Sequence, residues 1–301
     1  MRSRGLVAAT FTPMRPNGDI DLAAVPPLVD HLVGESVAGL FCNGTTGEGE
    51  SLTPDERCAV AEAFVSAAGG RLPAFVQVGA NSLRVAQRLA EHAARTGADA
   101  IAATPPAYFR PAGVSDLVEC LREISRAAPG VPLYYYHLPA LTGVRFDMAD
   151  LLRKAGDAIP GFAGIKFSEV DPPAFAACAG VDRGRYDVLW GSDETLLDGL
   201  STGATAAIGS TYCFATPVYR EVIAAHGRGD LDSARRWQAR AARMVDVQIR
   251  RGGLPALKAT MQLIGVDCGP VRLPLRALSA SAVEDLRREL EEVGFFDWGR
   301  P

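Results

Sequence analysis

A chain of 301 residues, 48% hydrophobic and 22% charged, has material for a large single core and carries no low-complexity tract or Pro/Gly/Ser linker. Its formal charge of −4 is spread over interspersed acids and bases. Without a Lys/Arg stripe, nucleic acid and anionic membrane surfaces are not expected partners, and a small neutral or anionic ligand is.

Short apolar segments bounded by Gly, Pro or Asp alternate with longer amphipathic ones, the pattern of βα units on a parallel sheet. The predicted strands are 5–13, 38–42, 73–79, 98–104, 132–138, 161–167, 187–191 and 204–209, each followed by a helical segment. The apolar run 5–9 behind the basic start Met1–Arg4 is too short for a signal-peptide core or a membrane span, so it reads as a first strand. Thr53-Pro54-Asp55-Glu56 predicts a capped helix start after the Gly-rich loop that follows strand two. After strand eight come four helical stretches, near 217–226, 231–251, 255–264 and 281–293. Eight alternating units with no GxGxxG after the first strand predict an α/β fold, a (β/α)8 TIM barrel over residues 1–225, with a helical C-terminal extension over 226–301 packed on it. Chemistry in such a barrel sits at the C-terminal ends of the strands.

The six cysteines, Cys42, Cys58, Cys120, Cys178, Cys213 and Cys268, form no CxxC pair, which points to a reducing cytoplasm. His31, His92, His137 and His226 form neither HxxxH nor HxH, so no metal is expected.

Of 31 Lys and Arg residues, only Lys154, Lys166 and Lys258 are lysines. Wherever charge alone suffices this chain uses arginine, and a guanidinium cannot act as a nucleophile, whereas a lysine amine in an apolar enclosure can. In Gly161-Phe-Ala-Gly-Ile-Lys-Phe-Ser168, period-two alternation sends Ala163, Ile165 and Phe167 to the helices and Gly164, Lys166 and Ser168 into the barrel. Lys258 reads as a residue of the extension and Lys154 as a solvated helix end. Tyr134 and Tyr136 share a face near the end of strand five, as proton relay or as packing, while His137 has the opposite parity and reads as structural. The loop Asn43-Gly-Thr-Thr-Gly-Glu-Gly49 either turns its N–H groups and the hydroxyls of Thr45 and Thr46 onto a carboxylate or is a tight turn. Asp193 and Glu194 after strand seven either accept bonds from a polyol or start the next helix.

Taken together, GTTGE after strand two, YxxP ending strand five, GIK on strand six, GSDE after strand seven and GST on strand eight resemble the N-acetylneuraminate lyase and dihydrodipicolinate synthase family over nearly the whole chain. The resemblance implies a class I aldolase, usually a homotetramer, using a covalent imine on Lys166 and no cofactor. It implies Lys166 and Tyr136 as catalytic residues, Thr45 and Thr46 as ligands of a 2-oxo acid's carboxylate, Gly191, Asp193, Glu194 and Ser210 as ligands of a hydroxylated tail, and Ser168 as the hydroxyl residue near the lysine. Tyr108 resembles a tyrosine that reaches a neighbouring subunit's site. The segment 134–144 is most similar to the sialic acid lyases, which implies cleavage of N-acetylneuraminate to N-acetylmannosamine and pyruvate. The synthase branch has an arginine where Leu141 stands, which weighs against 4-hydroxy-tetrahydrodipicolinate synthase. A related aldolase or dehydratase acting on another 2-oxo-3-deoxy sugar acid, and a non-catalytic sugar-acid sensor, are the alternatives.

Overall fold

Each of eight short segments with bulky or small apolar residues on alternate positions becomes a strand, because alternation lets one side chain fill the barrel while the next meets a helix. In the computed structural model, which describes residues 3–298, the strands are β1 (Gly5–Ala9), β2 (Gly39–Cys42), β3 (Ala74–Gln77), β4 (Ala100–Ala103), β5 (Leu133–His137), β6 (Phe162–Phe167), β7 (Asp187–Trp190) and β8 (Ala206–Gly209). They pair in parallel in sequence order, and β8 closes on β1 through Gly5 opposite Ala206 and Val7 opposite Ile208. This is the closed (β/α)8 barrel expected.

The predicted strands overrun at their ends. β1 stops at Ala9, and the following residues climb out of the ladder to a lone antiparallel bridge between Met14 and Ile20. Residue parity also slips once. The β5–β6 register is irregular between Leu133 and Tyr134, so Phe162 packs with the helices and Ala163 leans on the interior cluster rather than away from it. Past that irregularity Ile165 and Phe167 face the helices as alternation requires.

The barrel interior is filled by Val7, Ala9, Phe41, Phe75, Ala100, Ala102, Tyr134, Tyr136, Leu189, Ala206 and Ile208. Around it run α1 (Val25–Gly34), α2 (Pro54–Ala68), α3 (Leu83–Arg95), α4 (Val114–Ala127), a single turn α5 (Pro139–Thr142), α6 (Met148–Ala158), α7 (Pro172–Ala179), α8 (Leu196–Ser201) and α9 (Thr216–Gly227). α2 starts with the full capping box: Glu56 N–H donates to Thr53 Oγ1 at 3.2 Å, and Thr53 N–H donates to the Glu56 carboxylate at 2.8 Å.

Three more helices follow, α10 (Leu231–Arg250), α11 (Leu254–Leu263) and α12 (Ala280–Glu292). The outermost residues of the expected barrel and extension, 1–2 and 299–301, lie outside the described residues. The C-terminal part is tied to the barrel by two cations. Lys258 on α11 makes a fully buried 2.9 Å ion pair with Glu48 and donates to the carbonyls of Thr12 and Pro270. Arg272 forks onto Glu56 at 2.8 Å through both nitrogens and also donates to the carbonyls of Gly18 and Ser51. No described helix is long and apolar enough to cross a membrane.

Candidate active site

At the C-terminal ends of the strands lies a cavity of about 370 Å³. Its barrel-side wall includes Thr45, Thr46, Tyr136, Lys166, Ser168, Gly191, Asp193, Glu194 and Ser210. The structure therefore brings together all nine positions singled out from sequence.

Lys166 sits at the centre. β6 places it beside Tyr136 of β5 and Leu189 of β7. It is 4% exposed, and its Nζ lies 4.2 Å from the ring centroids of both Phe41 and Tyr136. Among the described residues it makes no hydrogen bond and no ion pair. Lys258, by contrast, has all three of its protons directed at Glu48, Thr12 and Pro270, and Lys154 is paired on the surface with Asp150 at 2.8 Å. Of the three lysines, only Lys166 has a nitrogen for which nothing among the described residues competes, the condition a nucleophile requires.

Tyr136 Oη is 3.2 Å from Thr45 Oγ1, and Thr46 Oγ1 is 2.6 Å from Ser210 Oγ. The four hydroxyls thus form two pairs above the lysine, linking the loop after β2 to β5 and to β8. The loop's shape comes from backbone constraints: Asn43 and Glu48 take left-handed conformations, and a Cβ on Gly49 would sit 2.0 Å from the Asn43 carbonyl oxygen. Neither Thr45 nor Thr46 directs its backbone N–H at an acceptor among the described residues, leaving both free for an anion.

The two acids after β7 differ. Asp193 is buried, and its Oδ2 accepts bonds from Thr211 N–H at 2.8 Å and Thr211 Oγ1 at 2.6 Å. Burial pushes its carboxyl up to about 6, against the pull of the Thr211 bonds and of nearby Lys166. A Cβ at residue 209 would meet Asp193 Oδ1 at 1.6 Å, so Gly209 is the residue that admits it. Glu194 is half-buried at the cavity wall and has no hydrogen bond or ion pair to the protein among the described residues. Neither side chain caps a helix. Gly191 leaves room for Ser168, whose Oγ would lie 2.1 Å from a Cβ there and has no partner of its own.

Tyr134, Tyr136's companion in parity, faces the opposite end of the barrel and donates to Asp187 at 3.0 Å. His137 lies 2.9 Å from Glu169, and burial together with nearby Arg145 pushes its imidazole down to about 4. It is a neutral structural ring against a carboxylate already paired with Arg145. Tyr108 does not line the cavity; it is 80% exposed.

Sequence reading missed three contributors. Phe41, which flanks the lysine, was legible from the alternation of Gly39 and Phe41 on β2. Thr211, which holds Asp193, was not, because that contact depends on the packing of two neighbouring strand ends. Gln248, on the cavity wall, comes from α10; a polar residue spaced three, four and seven positions from Val245, Met244 and Ala241 on one buried stripe was its signal. Among the described residues, no group of three or more His, Cys, Asp and Glu side chains is placed to hold a metal ion.

A closed parallel β/α barrel with one unpartnered, buried lysine at the catalytic ends of its strands has the architecture of a lysine-dependent aldolase. The chain belongs to the dihydrodipicolinate synthetase family, whose model matches residues 2–293. It is 41% identical over 295 residues to N-acetylneuraminate lyase of Sus scrofa, covering 96% of this chain and 92% of that one. To the Homo sapiens N-acetylneuraminate lyase it is 40% identical over 300 residues, with 98% and 94% covered. Among solved structures, Proteus mirabilis N-acetylneuraminate lyase superposes with a TM-score of 0.95 at 36% identity, covering 98% of this chain and all of that one.

Proposed function

We propose that the protein is a class I aldolase that cleaves N-acetylneuraminate to N-acetylmannosamine and pyruvate. The observation that carries this reading is Lys166, buried without a partner between two aromatic rings and beside a cavity ringed by hydroxyls and one free carboxylate. The relatives named as N-acetylneuraminate lyases support the choice of substrate.

In this reading Lys166 attacks the C2 carbonyl of the open-chain sugar acid, and loss of water gives an iminium. The substrate carboxylate takes the N–H groups and hydroxyls of Thr45 and Thr46. Tyr136, having given its proton to the departing water, takes the C4 hydroxyl proton as the C3–C4 bond breaks and the electrons of that bond pass into the iminium, leaving an enamine of pyruvate. Protonation and hydrolysis release pyruvate and free the lysine. The imine is the electron sink, so the reaction requires neither metal nor organic cofactor. Ser168, Gly191, Glu194 and Ser210 border the space for the hydroxylated tail, and Asp193 shapes it from behind.

The enzyme is proposed to act as a homotetramer in a reducing cytoplasm. All six cysteines are free, and an exposed aromatic pair, Tyr108 and Phe109, supports assembly. Pyruvate with borohydride should inactivate the protein and leave a reduced three-carbon adduct on Lys166. Lys166→Arg should stay folded and be inactive, with no adduct. An adduct on Lys258 would overturn the chemistry, and faster condensation of pyruvate with aspartate semialdehyde than with N-acetylmannosamine would overturn the substrate.

A further inference from the structure

One wall of the Lys166 cavity comes from outside the barrel. α10, α11 and the turn between them contribute Val245, Gln248, Ile249, Gly253, Leu254 and Leu257. Gln248 is the single polar side chain among them, and it is 1% exposed.

The orientation of its carboxamide is settled by its neighbour. Thr260, itself buried, lies 2.7 Å from the Gln248 amide, and its hydroxyl proton goes to the Ala256 carbonyl at 2.9 Å. A hydroxyl whose proton is engaged can only accept, so the Gln248 nitrogen faces Thr260. Its Oε1 is then left buried with no donor among the described residues. Buried acceptors without donors are rare and destabilising, and this one belongs to a residue on a ligand-sized cavity.

We propose that Gln248 is a specificity-determining residue whose Oε1 accepts a hydrogen bond from the N–H of the substrate's N-acyl group. This assignment rests on the sialic acid reading above. The chemistry of the wall selects an amide over a hydroxyl. A hydroxyl brings an oxygen that also needs a donor, which Val245, Ile249, Leu254 and Leu257 cannot offer. A secondary amide presents one proton for Oε1 and an alkyl group for the aliphatic side chains, with its carbonyl left at the open mouth. The barrel side offers the hydroxyls of Thr45, Thr46 and Tyr136 to the carboxylate and reacting carbons and Ser168, Glu194 and Ser210 to the hydroxylated tail, so the C-terminal helices read the acylamino group and the barrel performs the chemistry.

The test is condensation of pyruvate with N-acetylmannosamine and with 2-O-acetylmannose, an ester of the same outline that lacks the N–H. The native protein should show a kcat/KM at least about tenfold lower on the ester. Gln248→Met should lower kcat/KM for the amide about tenfold and leave the ester within about twofold, so that the preference disappears, while borohydride trapping of pyruvate on Lys166 is unchanged. Equal loss on both acceptors would make Gln248 a packing residue and overturn the proposal. Should the variant fail to trap pyruvate, the native amide-to-ester ratio decides alone, and a ratio near one overturns it. A native protein that traps pyruvate but does not accept N-acetylmannosamine would fail the sialic acid reading itself, and the Gln248 assignment with it. One that accepts N-acetylmannosamine without preferring the amide fails only the assignment.

Discussion

Asp193 is buried where a negative charge is costly, and the structure holds it there with two bonds from Thr211. Its carboxyl is raised from 3.8 to about 6 by burial, so the folded state binds its proton more tightly than the unfolded chain does. The stability this contributes is fully present below about pH 4 and is lost as pH rises through 6. Above that, the ionised group opposes folding by about 3 kcal/mol at most. Asp193→Asn keeps an acceptor for Thr211 and removes the charge. Urea unfolding should therefore find the variant more stable than the native protein at pH 8 and equal to it near pH 4; no gain at pH 8 would mean that the ionised form is the stabilised one. That a group costing stability is kept at the edge of the lysine's cavity fits a role in orienting the site. At this scale the alternation of β6 made Lys166's inward direction legible. The division of labour between Asp193 and Glu194 was not, because adjacent acids in sequence look alike until Thr211 and Gly209 arrive from another strand.

Between elements, Arg272 is one of the side chains that fasten the C-terminal segment to the barrel. Its fork on Glu56 joins that segment to the first turn of α2, and its bonds to Gly18 and Ser51 close two further loops. The guanidinium holds the Glu56 carboxyl down at about 2, below its ordinary 4.5. For a carboxylate lowered in this way, the stabilisation is present above 4.5 and is lost as pH falls toward 2. The pair is partly open to water, so screening reduces its worth. Arg272→Ala should cost about 1–2 kcal/mol at pH 7. Urea midpoints for native and variant should converge as pH is lowered from 7 to 3, and a gap that stays constant would assign the loss to packing alone. The start of α2 was legible because its capping box is local. The Arg272 fork spans 216 residues of chain and left no local trace. The slip that turns Ala163 inward likewise has its cause in the pairing of β5 with β6, which period-two counting along one strand cannot register.

At the scale of the whole molecule, the top of the barrel leaves apolar side chains in water where a single chain has no use for them. Tyr108 and Phe109 are 80% and 85% exposed and stack edge to face on each other, and Leu141 is 65% exposed. The two loops are neighbours, since the Arg110 guanidinium packs closely against Gly143. Exposed aromatics clustered beside a site, rather than scattered singly, mark contact surfaces. If this patch is a subunit interface, Phe109→Asp sets an unpaired carboxylate in it and should shift the assembly to a smaller species in sedimentation velocity at micromolar concentration. The fold should survive, because Phe109 contributes nothing to the core. Circular dichroism and borohydride trapping on Lys166 would therefore stay near native values, while turnover of N-acetylneuraminate falls if a neighbour's Tyr108 completes the cavity. A variant that dissociates yet turns over normally would confine Tyr108 to assembly, and a native protein that sediments as a monomer would remove the interface reading altogether.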